Sequence, residues 1–147
     1  MDNKIINKLN GEFSIAEDLT LSHKTTLQDL QNYFDKKTLK KSPYAGNCYY
    51  TDQIKIDDLY FKFSFFFEKN VLSSIEFEIE EEPIERIPWS NNRDLETNWI
   101  ADQMGESFVW DMKIAGRHFK LSYDWGFVGV FYDFKNGTFQ SVLSYSK

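Results

Sequence analysis

The most regular feature of the sequence is an alternation of apolar and polar residues with a period of two. Apolar side chains occupy every second position from Leu59 to Phe67 and again from Ile75 to Ile79, and a shorter alternation runs from Ile54 to Ile56. Such alternation is typical of strands that bury one face. Residues 49 to 82 therefore predict three antiparallel strands.

The register of the second hairpin in this region depends on its turn. A two-residue turn at Lys69–Asn70 would set Phe63 against Glu76, whereas a three-residue loop over residues 69 to 71 would set Phe63 against Phe77. A slip of one residue moves a whole apolar row to the opposite face. Because only the second register keeps both apolar rows on one face, we predict the three-residue loop.

Two segments predict helices. Thr25 and Gln28 have the spacing of a capping box and precede apolar residues at helical intervals, which indicates a helix from about 26 to 36. Either asparagine of the pair 91–92 can cap a second helix, and Gly105 can end it.

Four further strands are predicted in the second half. Residues 108 to 123 alternate in two runs on either side of an Ala115–Gly116 turn. The Asn136–Gly137 dipeptide, which alternating residues flank, is the strongest hairpin signal in the chain. Between these signals, residues 123 to 134 form either one bent strand or two strands with a turn at 124 to 126.

The order of these elements indicates an α+β fold, with two helices packed on one face of a long antiparallel sheet of about seven strands. Two apolar pulses between residues 13 and 21 predict one or two short strands, and residues 36 to 47 predict a loop. We expect one domain over residues 1–147. The two helix starts lie about half a chain apart, which suggests a degenerate tandem repeat of residues 1–83 and 84–147.

Composition adds an aromatic core and an acidic surface to this picture. The 147 residues include 14 Phe, 8 Tyr and 4 Trp, enough aromatic side chains to fill much of the core of one domain. The formal net charge of -6 and the pI of about 4.9 argue against binding to a nucleic acid backbone and favour a basic partner. The sequence leaves the oligomeric state open.

The single cysteine and the lack of long apolar runs bear on the compartment. Cys48 alone cannot form an internal disulfide or a CxxC zinc pair, which suits a reducing environment. The start MDNKIINKLN has no signal-peptide run, and no segment approaches the ~18 consecutive apolar residues of a membrane helix. We therefore expect a cytoplasmic chain without membrane contact.

No catalytic or metal-binding motif accompanies these elements. His23 is expected in a loop and His118 at an outward strand position, and no motif supplies a base for a Cys48 nucleophile. Several aspartates and glutamates are candidate ligands for a hard cation, but the sequence has no EF-hand loop. We therefore predict no cofactor and no metal.

The stretch IEFEIEEEPIE, residues 75 to 85, contains six glutamates. The predicted register sets Lys62 opposite Glu78, but no cation lies opposite the glutamates that follow. Charges on an edge strand discourage aggregation between sheets, and an acidic patch also attracts a positively charged partner. The predicted partner-binding residues lie at the end of this strand and at a nearby turn: Glu80, Glu81, Glu82, Glu85, Asp57 and Asp58.

A small, acidic, aromatic-rich α+β chain without a catalytic motif resembles the immunity proteins of bacterial toxin systems. The segment YDWGFVGVFYDFKNG, residues 123 to 137, is similar to segments of small bacterial proteins. The tandem helix-plus-strands layout resembles the β-lactamase inhibitor protein. These resemblances imply a non-enzymatic protein that binds a cognate toxin domain and neutralises it. The alternatives are a small enzyme or ligand-binding protein with an aromatic-lined pocket between sheet and helices, and a structural or regulatory subunit.

Overall fold

The computed structural model describes residues 4–34, 38–82, 93–107, 119–133 and 138–146. The strands are β1 (Phe13–Ala16), β2 (Leu19–Leu21), β3 (Leu39–Lys41), β4 (Cys48–Thr51), β5 (Ile54–Ile56), β6 (Leu59–Glu68), β7 (Val71–Glu80), β8 (Phe119–Tyr123), β9 (Gly126–Asp133) and β10 (Thr138–Tyr145). The helices are α1 (Leu27–Tyr33) and α2 (Arg93–Met104).

Within these ranges, eight strands form one antiparallel sheet in the order β3-β4-β6-β7-β10-β9-β8, with β5 paired to β6 beside this path. Strands β1 and β2 form a separate two-stranded sheet, in agreement with the apolar pulses in that part of the sequence. The α+β class is confirmed. The large sheet exceeds the predicted seven strands.

Strands β3 and β4 are the ones that the sequence analysis did not predict. Residues 36 to 47 were expected to form a loop, yet Leu39 is 8% exposed and pairs with Thr51. Cys48 begins β4 and is buried, as expected of a small apolar side chain. The two strands are three and four residues long, too short for an alternating pattern to be visible.

The two halves of the chain meet at the centre of the sheet, where β7 pairs with β10. From this seam the order runs outward through β6 and β4 on one side and through β9 and β8 on the other. The mirrored order is compatible with a tandem repeat, which stays a prediction.

The predicted register between β6 and β7 is confirmed. Phe63 lies opposite Phe77, and Lys62 lies opposite Glu78. The apolar row of each strand is consequently buried on one face, with Phe63 only 1% exposed and Phe77 fully buried.

The three-residue loop predicted between these two strands is wrong. The chain reverses in a two-residue turn at Lys69–Asn70, where both residues have positive φ, 52° and 67°, and Glu68 pairs directly with Val71. A bulge at Ser73 inserts one extra residue into β7 and restores the register. The Ser73 hydroxyl donates a hydrogen bond of 3.0 Å to the Phe66 carbonyl across the bulge.

The core lies between the sheet and a layer formed by the β1–β2 hairpin and the two helices. Phe13 of β1 packs edge-on against Phe63 and Phe77, with ring centroids 5.7 and 5.4 Å apart. From α2, Trp99 makes similar contacts with Phe61 and Phe77, at 5.2 and 5.8 Å. Edge-to-face aromatic pairs at these distances add to the stabilisation from burial.

The cap of the first helix lies one residue later than predicted. Thr26, rather than Thr25, caps α1: its hydroxyl accepts from the Asp29 N–H, and the Asp29 carboxylate accepts from the Thr26 N–H. This is the reciprocal pair of a capping box. The helix ends at Tyr33, before the predicted end, since Phe34 has extended backbone angles.

The second helix ends where the glycine signal predicted. Gly105 has φ of 65°, its N–H donates to the Asp102 carbonyl, and the Glu106 N–H donates to the Ala101 carbonyl. These two bonds satisfy carbonyls at the helix end that lack helical partners. The predicted cap at residues 91–92 lies outside the described residues.

The described residues from 123 to 133 form two strands, β8 and β9, rather than one bent strand. The chain turns at Asp124 and Trp125, and Tyr123 pairs with Gly126. The predicted Ala115–Gly116 and Asn136–Gly137 turns lie outside the described residues.

We expect the Gly129→Ala substitution to lower the free energy of unfolding by about 2–3 kcal/mol. A Cβ at Gly129 would lie 2.1 Å from the Phe119 carbonyl oxygen of the neighbouring strand. At Gly46 nothing lies within 4 Å of the position that a Cβ would take, so the matched Gly46→Ala variant should change the free energy of unfolding by less than about 1 kcal/mol. Urea denaturation of both variants checks this, and equal losses would contradict it.

Candidate functional site

The large sheet has two faces with different surroundings. Both helices and the β1–β2 hairpin contact the face that carries the Phe61, Phe63 and Phe77 side chains. The opposite face, here called the outer face, carries partly exposed side chains from five strands: Tyr50, Lys62, Ser64, Phe66, Glu76, Glu78, Phe127, Phe131, Gln140 and Val142. The outer face is therefore the side of the sheet that can accept another molecule.

A depression of about 220 Å³ lies on the outer face between β4, β6, β7 and β10. Three carboxylates and one ammonium group contribute to its lining, from Asp52, Glu76, Glu78 and Lys62. Tyr50, Ser64 and Gln140 are among its other lining residues. We call this feature the acidic depression.

Glu78 is a lining carboxylate whose pKa is raised above its ordinary value. Burial raises the pKa of Glu78, the charge of Lys62 lowers it, and the charge of Glu80 raises it further. Lys62 lies directly opposite Glu78 in the sheet, as predicted, but among the described residues no ion pair within 4 Å joins them. Lys62 therefore compensates the carboxylate only in part.

The other side of the outer face is aromatic. The Phe127 and Phe131 rings meet edge to face at 5.8 Å, and the Lys120 ammonium lies 4.6 Å from the centroid of the Phe127 ring. Gln140, which lines the acidic depression, pairs with Phe131 across the neighbouring strands. The acidic and aromatic parts of the outer face are thus adjacent.

Four of the predicted partner-binding residues are exposed and lie at one end of the sheet. Asp57 and Asp58 form the turn between β5 and β6, and Glu81 and Glu82 follow the last residue of β7. The pairing of Tyr60 with Glu80 brings these two segments together. We call Asp57, Asp58, Glu81 and Glu82 the acidic end.

The prediction for Glu80 needs correction. Its side chain is only 8% exposed, so it is not available as a surface contact in the way that Glu81 and Glu82 are. The strand alternation alone does not show what covers the end of β7. Glu85 lies outside the described residues, and its role stays a prediction.

A fully buried carboxyl group on α2 was not predicted from the sequence. Glu96 is 0% exposed and lies at the end of the ladder between β7 and β10. It accepts hydrogen bonds from the Ile79 N–H, at 3.3 Å, and from the Ser141 hydroxyl. The available signal was its position four residues before Ile100, on the apolar side of the helix.

The environment of Glu96 favours its neutral form. Burial raises its pKa to about 8, the hydrogen bonds from Ser141 and Ile79 oppose this rise, and the charges of Glu78 and Glu80 add to it. A strongly perturbed carboxyl group often marks a catalytic site. Here both oxygens are engaged inside the core, which identifies Glu96 as a structural link between α2 and the two central strands.

The other groups with nucleophilic or basic chemistry lie apart from one another. Cys48 is buried, and burial followed by the charge of Glu76 raises the pKa of its thiol, which disfavours the reactive thiolate. His23 is exposed before α1, as expected of a loop residue. Within the ranges that the structure describes, no three His, Cys, Asp or Glu side chains are arranged to hold a metal ion, and no helix is long and apolar enough to cross a membrane.

The fold resembles that of one chain in a solved toxin–immunity complex. A chain of the solved structure described as Rhs1-CT in complex with cognate immunity protein RhsI1 matches with a TM-score of 0.59 and 18% identity, over 95% of this chain and 85% of that chain. The fold is immunity-protein-like. The resemblance to immunity proteins is thus confirmed at the level of the fold. No protein-family model and no curated protein sequence gives a significant match.

We expect the Glu96→Gln variant to lose the pH dependence that this carboxyl group gives to stability. The folded pKa is about 8, whereas the ordinary value is 4.5, so the unfolded chain releases this proton at lower pH. The contribution of Glu96 to the free energy of unfolding is therefore fully present below about pH 4.5. It is lost as the pH rises towards 8, by up to ~1.4 kcal/mol per pH unit.

Urea denaturation between pH 5 and pH 8 measures this difference. The Glu81→Gln variant, which removes an exposed carboxylate by the same substitution, should keep the slope of the wild type. If the unfolding free energies of Glu96→Gln and the wild type changed in parallel with pH, the pH dependence would not come from Glu96.

Proposed function

We infer that this chain is a non-enzymatic immunity protein that binds and neutralises a cognate bacterial toxin domain in the cytoplasm. The observation that carries this inference is the match over 95% of the chain to a toxin–immunity complex. The partner is a basic protein surface, because the net charge of -6 and the exposed acidic end favour a partner of opposite charge.

Packing supports a binding protein rather than the alternative of an enzyme or ligand binder. Among the described residues, aromatic side chains pack into the space between sheet and helices, including Phe13, Phe61 and Phe65, which are 0% exposed. The acidic depression, at about 220 Å³, is smaller than the roughly 300–1,000 Å³ of most small-molecule pockets. Its size suits a contact with part of a protein.

Co-expression tests this function. The protein encoded directly upstream of the gene of this chain, which the proposed function expects to be the toxin, is expressed in a bacterial host, with the chain or with an unrelated protein of similar size and net charge. We expect only the chain to restore colony formation and to form a complex with the upstream protein in size-exclusion chromatography. Continued toxicity together with separate elution of the two proteins would refute the inference.

The acidic end is expected to act mainly on the rate of association. Exposed charges at the rim of an interface change the association rate and its salt dependence more than the dissociation rate. The Glu81→Gln/Glu82→Gln variant should therefore associate several-fold more slowly than the wild type and show a weaker salt dependence. Its melting temperature should remain close to that of the wild type. Stopped-flow association at several salt concentrations checks this, and unchanged rates would exclude the acidic end from the interface.

A further inference from the structure

We propose that the partner docks on the outer face of the sheet and inserts one arginine side chain into the acidic depression. This proposal rests on the proposed function and adds the location and the chemistry of the main contact. It differs from the acidic end, which lies beyond the ends of the strands.

The described helices and the β1–β2 hairpin leave this face of the sheet available. The β1–β2 hairpin, α1 and α2 all contact the opposite face, where Phe13, Phe34 and Trp99 pack on the phenylalanines of β6 and β7. The side chains of the outer face, by contrast, remain partly exposed. A partner that approaches this surface meets five neighbouring strands held rigid by their pairing.

The charges of the depression select a cation. Among the residues that the structure describes, its lining contains the carboxylates of Asp52, Glu76 and Glu78 and the ammonium group of Lys62. Lys40 forms an ion pair with Asp52 at 3.0 Å, but both side chains are well exposed, so this pair is weak. A cation from the partner would add a favourable interaction with the Glu78 carboxylate, which is partly withdrawn from water; this burial also raises its pKa.

The shape and the neutral groups favour arginine over lysine. A guanidinium group can bind carboxylates through two parallel hydrogen bonds and can stack on an aromatic ring. Glu76 and Glu78 project from alternate positions of the same strand, and the Tyr50 ring lines the same space. A lysine ammonium group would use the charge but not the planar geometry.

The adjacent aromatic side chains complete the docking surface. Phe131 lies opposite Gln140, which lines the acidic depression, and Phe127 contacts Phe131 on the side away from it. Interfaces commonly concentrate their energy in a few aromatic and arginine contacts surrounded by polar residues. The outer face provides an aromatic area and an arginine site side by side.

Binding kinetics with the protein encoded directly upstream, the probe of the co-expression test, examine the proposal. The Glu76→Gln/Glu78→Gln variant removes two carboxylates from the depression, and Glu81→Gln/Glu82→Gln removes two from the acidic end, so the matched variants have the same net charge. We expect the depression variant to dissociate about tenfold faster or more, because loss of a desolvated charge pair acts mainly on dissociation. The acidic-end variant should keep the dissociation rate of the wild type.

A second variant tests the site without removing a carboxylate. Ser64 lines the depression, so Ser64→Arg would fill it with a guanidinium group from the chain itself. We expect this variant to remain folded by circular dichroism and to bind the toxin domain about tenfold more weakly or worse. Ser22→Arg, at a partly exposed position of the loop before α1, serves as the control and should bind like the wild type.

The outcomes separate the two inferences. If the wild-type chain binds the toxin domain and the Glu76→Gln/Glu78→Gln and Ser64→Arg variants bind equally well, the docking proposal is overturned and the proposed function stands. Equal acceleration of dissociation in both double variants also overturns it, because the effect would then follow net charge alone. If the wild-type chain neither binds nor protects, both inferences fail.

Discussion

The pairing of β6 with β7 is the constraint on which the rest of the structure depends. Each strand has an apolar row and a polar row, and the pairing of Phe63 with Phe77 places both apolar rows on one face. A shift by one residue would expose one row and bury glutamates. The same pairing therefore determines both the core, which the helices cover, and the charged surface on the opposite face. A change of register would therefore alter the core packing and the surface charge together.

The sequence predicts this hairpin well because its energetics are local. The phenylalanine and isoleucine rows are long enough for only one register to bury both of them. The bulge was not predictable, since Ser73 has no property that distinguishes it from the neighbouring Ser74. The N-cap of α1 and the Gly105 terminus of α2 were predicted within one residue, because both depend on short-range hydrogen bonds.

The features that were not predicted, which are β3 and the buried glutamates, share a different physical origin. Leu39 gives β3 one buried anchor, which is not a pattern, and the strand forms because β4 lies beside it. A glutamate is ordinarily exposed, which is why the burial of Glu80 was not predicted, and the burial of Glu96 depends on contacts with Ile79 and Ser141 in strands far from α2 in the sequence. The location of the acidic end followed from the sequence, because Asp57 and Asp58 occupy a turn and the register places that turn near Glu81; its role in binding stays a prediction. Local signals thus located these exposed carboxylates, whereas the depression on the outer face required the assembled sheet.

The central position of β10 has a consequence for the synthesis of the protein. Strand β7 pairs with β10 in the finished sheet, but about 60 residues separate the two strands, which a ribosome needs several seconds to translate at roughly 5–20 residues per second. During that interval one edge of β7 is open while the nascent chain is already long enough to form the β6–β7 hairpin. An open edge with isoleucine and phenylalanine at alternate positions is prone to pair with other chains. The glutamates between them, Glu76 and Glu78, keep that temporary edge charged until its permanent neighbour has been made.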